Sequence, residues 1–174
     1  MPADLFTRLD LDLIYPPFLE RVLELIARAR AKGQVYYAVS GYRSYDDQAR
    51  KYAIGRGGDP GKRITNAPPG FSMHNYGIAI DFALDDDLSK GGLQTNWATE
   101  QGQYDLLRDK ALGTGLQVGV PSVPGGDKGH TQINVSTVLN CQEMSLLQTL
   151  KYAYLKNGDV RDAWAWLDEH CVWP

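Results

Sequence analysis

The 174-residue sequence predicts an α+β fold: a small, mainly antiparallel sheet flanked by helices, with a C-terminal helical extension. Three observations predict it. The runs Gln34–Ser40, Ile78–Ala83, Leu116–Val120 and His130–Val135 are short and rich in β-branched or aromatic residues, as strands are. Segments with helical spacing stand before, between and after them. From Asn140 onward the pattern is helical only.

Taken in order, Pro16-Pro17 opens a first helix, where missing amide donors do no harm. Phe18, Val22, Leu25, Ile26 and Ala29 recur at helical spacing to about Lys32, and Gly33 ends the helix. After the strand Gln34–Ser40 comes the turn Gly41-Tyr42-Arg43-Ser44. Ser44 caps a helix over Tyr45–Ile54, with Asp46 and Asp47 in its first turn. Gly55–Gly70 is a long Gly- and Pro-rich loop, of the kind that carries function. Asp85-Asp86-Asp87 reads as a solvated turn, since no calcium-loop spacing accompanies it. Trp97–Leu112 reads as a helix with Tyr104, Leu107 and Ala111 on one face, and Pro121–Gly129 as a turn-rich loop. In the tail, Met144, Leu147, Leu150 and Tyr154 share one helical face. Asp159 caps a last helix built on Val160, Ala163, Trp164 and Leu167. Trp164, Trp166 and Trp173 read as core packing, and His170 as a partner of the helix dipole.

The composition is that of a globular chain, 43% hydrophobic and 22% charged, long enough for one domain with a real core. A net charge of −3 gives no global basic signature for nucleic acid. No apolar run reaches membrane-spanning length, and the N-terminus has no basic-then-apolar signal pattern. Cys141 and Cys171 form no CxxC pair and read as buried or free thiols.

The stretch Ser72-Met73-His74-Asn75-Tyr76-Gly77-Ile78-Ala79-Ile80-Asp81 carries the chemistry. Asp81 puts a charge into an otherwise apolar strand, which is costly unless the carboxylate is paired or binds a metal. His74 precedes that strand in a turn where Asn75 and Gly77 can take unusual backbone angles. Imidazole and carboxylate both suit zinc. On this pair alone, a zinc site and a backbone-capped Asp beside a turn histidine stand level. His130 adds a second imidazole at the start of a strand, with Asp127 three residues earlier. His74, Asp81 and His130 make three ligands and leave a fourth tetrahedral position for water, the catalytic pattern. Asp127 suits a proton shuttle that is not itself a ligand. Arg43, at the end of a strand, suits a fixed donor to a developing oxyanion.

At these residues the chain resembles the M15 zinc peptidases that cut bacterial cell-wall peptides. These include phage L-alanyl-D-glutamate endolysins, D-Ala-D-Ala carboxypeptidases and vancomycin-resistance dipeptidases. Three segments carry the resemblance. Ser40-Gly41-Tyr42-Arg43-Ser44, with Gln48, Tyr52 and Gly55-Arg56, is similar to the family's SGYRS…Q…Y…GR block. Thr65-Asn66-Ala67 and Ser72–Asp81 are similar to its TNA…SxHNYGxAxD block, and Asp127–Gln132 to its acid-x-x-H-x-Q/E block. The resemblance implies a Hedgehog/D,D-peptidase-like fold with the site in a cleft across the sheet. It also implies zinc on His74, Asp81 and His130, with Asp127 as general base and then acid. It further implies Arg43 at the oxyanion, and Gln48 and Ser72 lining the substrate site. TNA, HNYG and an aspartate base are most similar to the phage L-alanyl-D-glutamate peptidases.

Thr131 stands where the family often has an aromatic, and residues 119–126 read GVPSVPGG where it commonly has Trp-Gly-Gly before the acid. Both departures bear on substrate-site shape and bond preference, not on the metal. The resulting expectation is zinc-dependent hydrolysis of a peptide bond in the stem peptide of bacterial peptidoglycan, most closely L-Ala-D-Glu. Its alternatives are a D-Ala-D-Ala carboxypeptidase and a non-catalytic zinc-binding module on the same fold, as in Hedgehog-type signalling domains. A binding module would be at liberty to lose Arg43 or Asp127, and both are present. A Ser or Cys hydrolase built on Ser72 or Cys141 lacks a nucleophile elbow. Residues 1–139 form the expected catalytic domain. Residues 140–174 form a helical extension, packed on it or appended to it, that offers a surface to an unknown partner. Without a signal peptide, the protein is expected to be made in the cytoplasm and to reach the wall by phage-type release or effector delivery.

Overall fold

The computed structural model describes residues 3–57, 61–85, 104–120 and 127–174. Two 3-10 turns, Ala3–Phe6 and Leu11–Leu13, lead into helix α1 (Pro16–Arg30), whose first two residues are prolines. Phe18, Val22, Leu25, Ile26 and Ala29 line its inner face and are buried. There follow β1 (Tyr36–Ser40), α2 (Tyr45–Ala53), a 3-10 turn (Met73–Tyr76), β2 (Ala79–Leu84), α3 (Asp105–Ala111), β3 (Leu116–Val120) and β4 (Asp127–Ile133). Helices α4 (Val135–Val138), α5 (Glu143–Leu155) and α6 (Val160–His170) complete the chain.

The four strands form one sheet in the order β1-β2-β4-β3, with every neighbouring pair antiparallel. This is the α+β architecture the sequence predicts. Side-chain alternation divides the sheet into two faces. Ala38, Ile80, Phe82, Val118 and Ile133 are buried in the core that α1 and α3 help to fill. Asp81, His130 and Gln132 lie on the opposite face.

The elements differ from expectation at their ends. The strand expected over His130–Val135 starts at Asp127 and stops at Ile133. It stops because the Asn134 side chain accepts from Thr137 N at 3.3 Å and caps α4. Residues 127–129, expected in a loop, are therefore strand. Of the helix expected over Trp97–Leu112, residues 97–103 lie outside the described residues, as do Asp86, Asp87 and 121–126 of the expected turns. Met144, expected inward, is 55% exposed; Leu147 and Leu150 of that expected face are buried, and Leu146 joins them.

The two tail helices share the core of the sheet. Leu146, Leu147, Leu150, Val160, Ala163, Trp164 and Leu167 belong to the same buried cluster as α1 and the strands. Trp164 Nε1 donates to the Tyr76 carbonyl at 2.8 Å, and the Tyr15 hydroxyl donates to Asp168 at 2.7 Å. The extension thus braces the turn that carries His74. Trp166 and Trp173 are half-buried, and His170 stacks on Trp166 at the end of α6. Among the described residues, no helix is long and apolar enough to cross a membrane.

Candidate metal centre

A bulge places the first wall of the site. Ala38 pairs with Phe82 but Ser40 pairs with Asp81, so β1 advances two residues while β2 moves one. Regular alternation would keep Ser40 on the core side with Tyr36 and Ala38. The bulge sets it opposite Asp81, on the other face. Asp81 also pairs with His130 across β2–β4. Ser40, Asp81 and His130 therefore lie in one row across three strands.

His74 reaches the same spot from the 3-10 turn before β2. The turn closes on Gly77 at φ 64°, where a Cβ would fall 2.2 Å from the Leu13 carbonyl oxygen, so only glycine fits. Asn75, expected to help through its own backbone angles, works through its side chain. Its amide donates to the Arg43 carbonyl at 2.8 Å and accepts from Gly70 N at 3.0 Å. Arg43 N donates to the His74 carbonyl at 3.0 Å. The β1–α2 corner and the His74 turn are thus stitched together on both sides of the ligand.

The hydrogen bonds fix both imidazole tautomers. His74 Nδ1 lies 2.7 Å from the Gly41 carbonyl oxygen, which can only accept, so Nδ1 carries the proton. Nε2 then turns its lone pair to Asp81 Oδ1, 3.2 Å away. His130 Nε2 lies 2.9 Å from Gln132 Oε1, and Gln132 Nε2 donates to Glu143 Oε2 at 3.1 Å. A carboxylate accepts only, so the Gln132 amide is oriented and His130 Nε2 is the donor. His130 Nδ1 therefore also turns its lone pair to Asp81 Oδ1, at 2.9 Å. Burial works against the charged form of Asp81; with no cation among the three, protonation of the imidazoles, His74 first, would hold its carboxyl well below the usual carboxylate range.

Three electron-pair donors aimed at one another repel unless a cation sits among them. The ligating atoms of His74, Asp81 and His130 all lie within 4.8 Å of one another. Donors about 2.1 Å from a tetrahedral zinc stand about 3.4 Å apart, close to the 3.2 and 2.9 Å that separate His74 Nε2 and His130 Nδ1 from Asp81 Oδ1. Two imidazoles and one carboxylate, each imidazole held by a hydrogen bond on its far nitrogen, fit zinc in chemistry and geometry.

Arg43 stands beside this trio. Its Nη2 is 3.9 Å from Asp81 Oδ2 and donates to Ser40 Oγ at 3.2 Å, while Nη1 donates to Gln48 Oε1 at 2.9 Å. Gln48, expected along the substrate site, is fully buried with both amide ends engaged, the other donating to the Ala67 carbonyl at 2.7 Å. It is bonded to Arg43, and no part of it is exposed in this structure. Ser72 is half-buried at the entrance to the His74 turn, and its side chain makes no capping bond there. Asp127 opens β4 opposite Val120; its side chain lies outside what the structure describes. From the pair Val118–Thr131 to the pair Val120–Asp127, β3 moves two residues and β4 four, so β4 bulges just before His130.

Sequence reasoning quoted Gln132 without a role and passed over Glu143. Gln132 carried a legible signal, standing two residues after His130 on the same strand face. Glu143 carried none.

The family model described as VanY, D-alanyl-D-alanine carboxypeptidase, matches residues 13–123, a span that holds Arg43, His74 and Asp81 and ends before His130. The peptidoglycan L-alanyl-D-glutamate endopeptidase CwlK of Bacillus subtilis (strain 168) is 39% identical over 71 residues. That match spans 41% of this chain and 42% of the relative, less than half of either. The solved structure of a variant of the vancomycin-resistance D,D-pentapeptidase VanY, from a VanB-type cassette and in complex with Zn(II), is similar at 17% identity and a TM-score of 0.49. That likeness covers 78% of this chain and 76% of that one.

Proposed function

The chain belongs to the VanY, D-alanyl-D-alanine carboxypeptidase family, and from that membership we propose that it is a zinc-dependent peptidase of the stem peptides of bacterial peptidoglycan. The observation that carries the proposal is the pair of outward-tied imidazoles whose lone pairs converge on the ionised Asp81. His74 Nε2, Asp81 Oδ1 and His130 Nδ1 would hold the metal. Zinc held there would supply Lewis acidity and make a water more acidic.

The chain's own residues do the rest. Asp127 takes the proton of the attacking water and returns it to the leaving amine, as general base and then acid. Arg43, immobilised by Gln48 and Ser40, presents a fixed positive charge to the oxygen of the scissile carbonyl as that oxygen becomes negative. Because Gln48 holds the guanidinium in place beforehand, little reorganisation is left for the moment of reaction.

For the bond cut, we read L-Ala-D-Glu, on the likeness to CwlK and on the motifs of Ser72–Asp81. The family's description favours the second reading, release of terminal D-Ala. Digestion of purified peptidoglycan with and without a chelator, with new termini mapped by mass spectrometry, tests both. Chelator-sensitive termini between L-Ala and D-Glu are expected. Release of D-Ala would move the assignment to a carboxypeptidase, and no new termini from zinc-loaded protein would overturn the peptidase. Asp127→Asn is expected to keep zinc and lose turnover by at least 100-fold, within the range for a general base.

A further inference from the structure

The hydrogen-bond relay behind His130 leaves the sheet and ends in the C-terminal extension. Gln132 is buried beside His130 on β4, and its amide bridges His130 Nε2 and Glu143 Oε2. Glu143 is the first residue of α5, a helix pinned to the core by Leu146, Leu147 and Leu150. An amide side chain is nearly symmetric in shape. Alone, Gln132 could equally turn its NH2 to His130, and an NH2 there would call for a proton on Nδ1, the nitrogen that faces Asp81. The Glu143 carboxylate accepts and does not donate, so it holds the NH2 and leaves Oε1 for the imidazole.

We propose that Glu143 is a positioning residue for the metal centre: through Gln132 it fixes His130 as the Nε2–H tautomer and so directs the Nδ1 lone pair at the cation. The inference rests on the zinc-centre reading above. It makes the tail helices part of the site and gives their first turn a task beyond packing. Outer partners of this kind typically change metal affinity by about 10–100-fold when removed. Glu143 acts one bond further out, so the lower end of that range, about 10-fold, is expected.

An acid in the first turn of a helix also favours the helix dipole, a purely structural role. Two measurements on the full chain separate the roles. The first is the 15N–1H histidine correlation spectrum of the metal-free protein, which reads the His130 tautomer directly. Wild type should show Nε2–H, Glu143→Ala a mixture, and Glu143→Lys, a pure donor that would turn the Gln132 amide around, the Nδ1–H form. The second is the Zn2+ dissociation constant from competition with a chromophoric chelator. Glu143→Ala should weaken zinc about 10-fold in the wild-type background and not at all in Gln132→Ala, because the path is already cut. An unchanged tautomer, or an equal loss in both backgrounds, would overturn the proposal. Should Glu143→Ala fail to fold, the tautomer of Glu143→Lys decides alone. A wild-type chain that binds no zinc would overturn the metal centre itself, and the metal-free spectrum tells that failure apart from failure of the relay.

Discussion

His130 and Asp81 meet twice: they are Cα partners in the β2–β4 ladder, and His130 Nδ1 lies 2.9 Å from Asp81 Oδ1. The sheet itself sets their spacing, so two of the three donors are held by backbone pairing. Only His74 arrives from a turn, and that turn is locked by Gly77, Asn75 and Trp164. A site built on paired strands is pre-formed before any cation enters.

Metal removal should therefore loosen the chain without dismantling it. Zinc at 100 times its dissociation constant adds about 2.7 kcal/mol to a fold that binds it only when native. In a domain of this size that raises the melting temperature by about 5–10 °C. Calorimetry with zinc, and with a chelator, is the check. Asp81→Asn, which keeps the shape and removes the charge, should abolish the difference.

Gly129, beside His130, carries a second constraint. A Cβ on it would fall 2.1 Å from the Phe82 carbonyl oxygen, a backbone atom of the neighbouring strand that cannot step aside. Gly129→Ala should force β2 and β4 apart next to Asp81, cost about 3 kcal/mol or more, and remove zinc binding with it. Gly113→Ala is the control. Unlike Gly129 it has a positive φ, 74°, but open space around its Cβ, so it should cost only about 1 kcal/mol and keep zinc. Urea denaturation of both variants beside a zinc titration makes the comparison.

The legible part of this protein is the part where residue type and chemistry coincide. A carboxylate in an apolar strand and a histidine at each approach to it could be read before any coordinates, because a charge stands out in a run whose burial calls for apolar side chains, and His130 tips the balance from a backbone-capped Asp to a metal. The four strands and the inner face of α1 were legible for the same reason, periodic burial. Positions whose task depends on a partner far away in sequence were not. Gln48 looks like any helical glutamine until Ala67 and Arg43 are found at its two ends. Met144 fits a helical stripe as well as Leu146 does, and only the packing of α5 decides between them. The bulges that turn Ser40 to the site face and start β4 at Asp127 are backbone choices with no side-chain signature.

Thr131 departs from the aromatic the family often has, and its place in the sheet limits what that departure can do. It pairs with Ile80 and is fully buried on the core face, away from His130 and Gln132. Its hydroxyl finds no hydrogen-bond partner among the described residues. An unsatisfied buried hydroxyl costs about 1–3 kcal/mol, and valine has the same shape without it. Thr131→Val should raise stability by about 1 kcal/mol and leave zinc affinity unchanged. A loss of stability in the urea midpoint would mean that the hydroxyl is bonded after all.

The alkaline limit should be set by the seam between the tail and the first helix. Burial, then the Asp168 carboxylate and Cys141, push the Cys171 thiol up from its ordinary 9.0 to about 12. Burial first, and the hydrogen bond to Asp168 second, likewise raise Tyr15, which sits at the N-cap of α1. In the unfolded chain the thiol ionises near 9, whereas in the fold it stays protonated until about 12. Unfolding therefore releases a proton between those values, and the fold loses stability as pH rises through the window. Below pH 9 the contribution is fully present. The urea midpoint should hold steady from pH 7 to about 8.5 and fall towards pH 11. Cys171→Ala should flatten part of that fall and leave the rest to the tyrosines. A midpoint that declines equally in both chains would show that the thiol is not buried in solution.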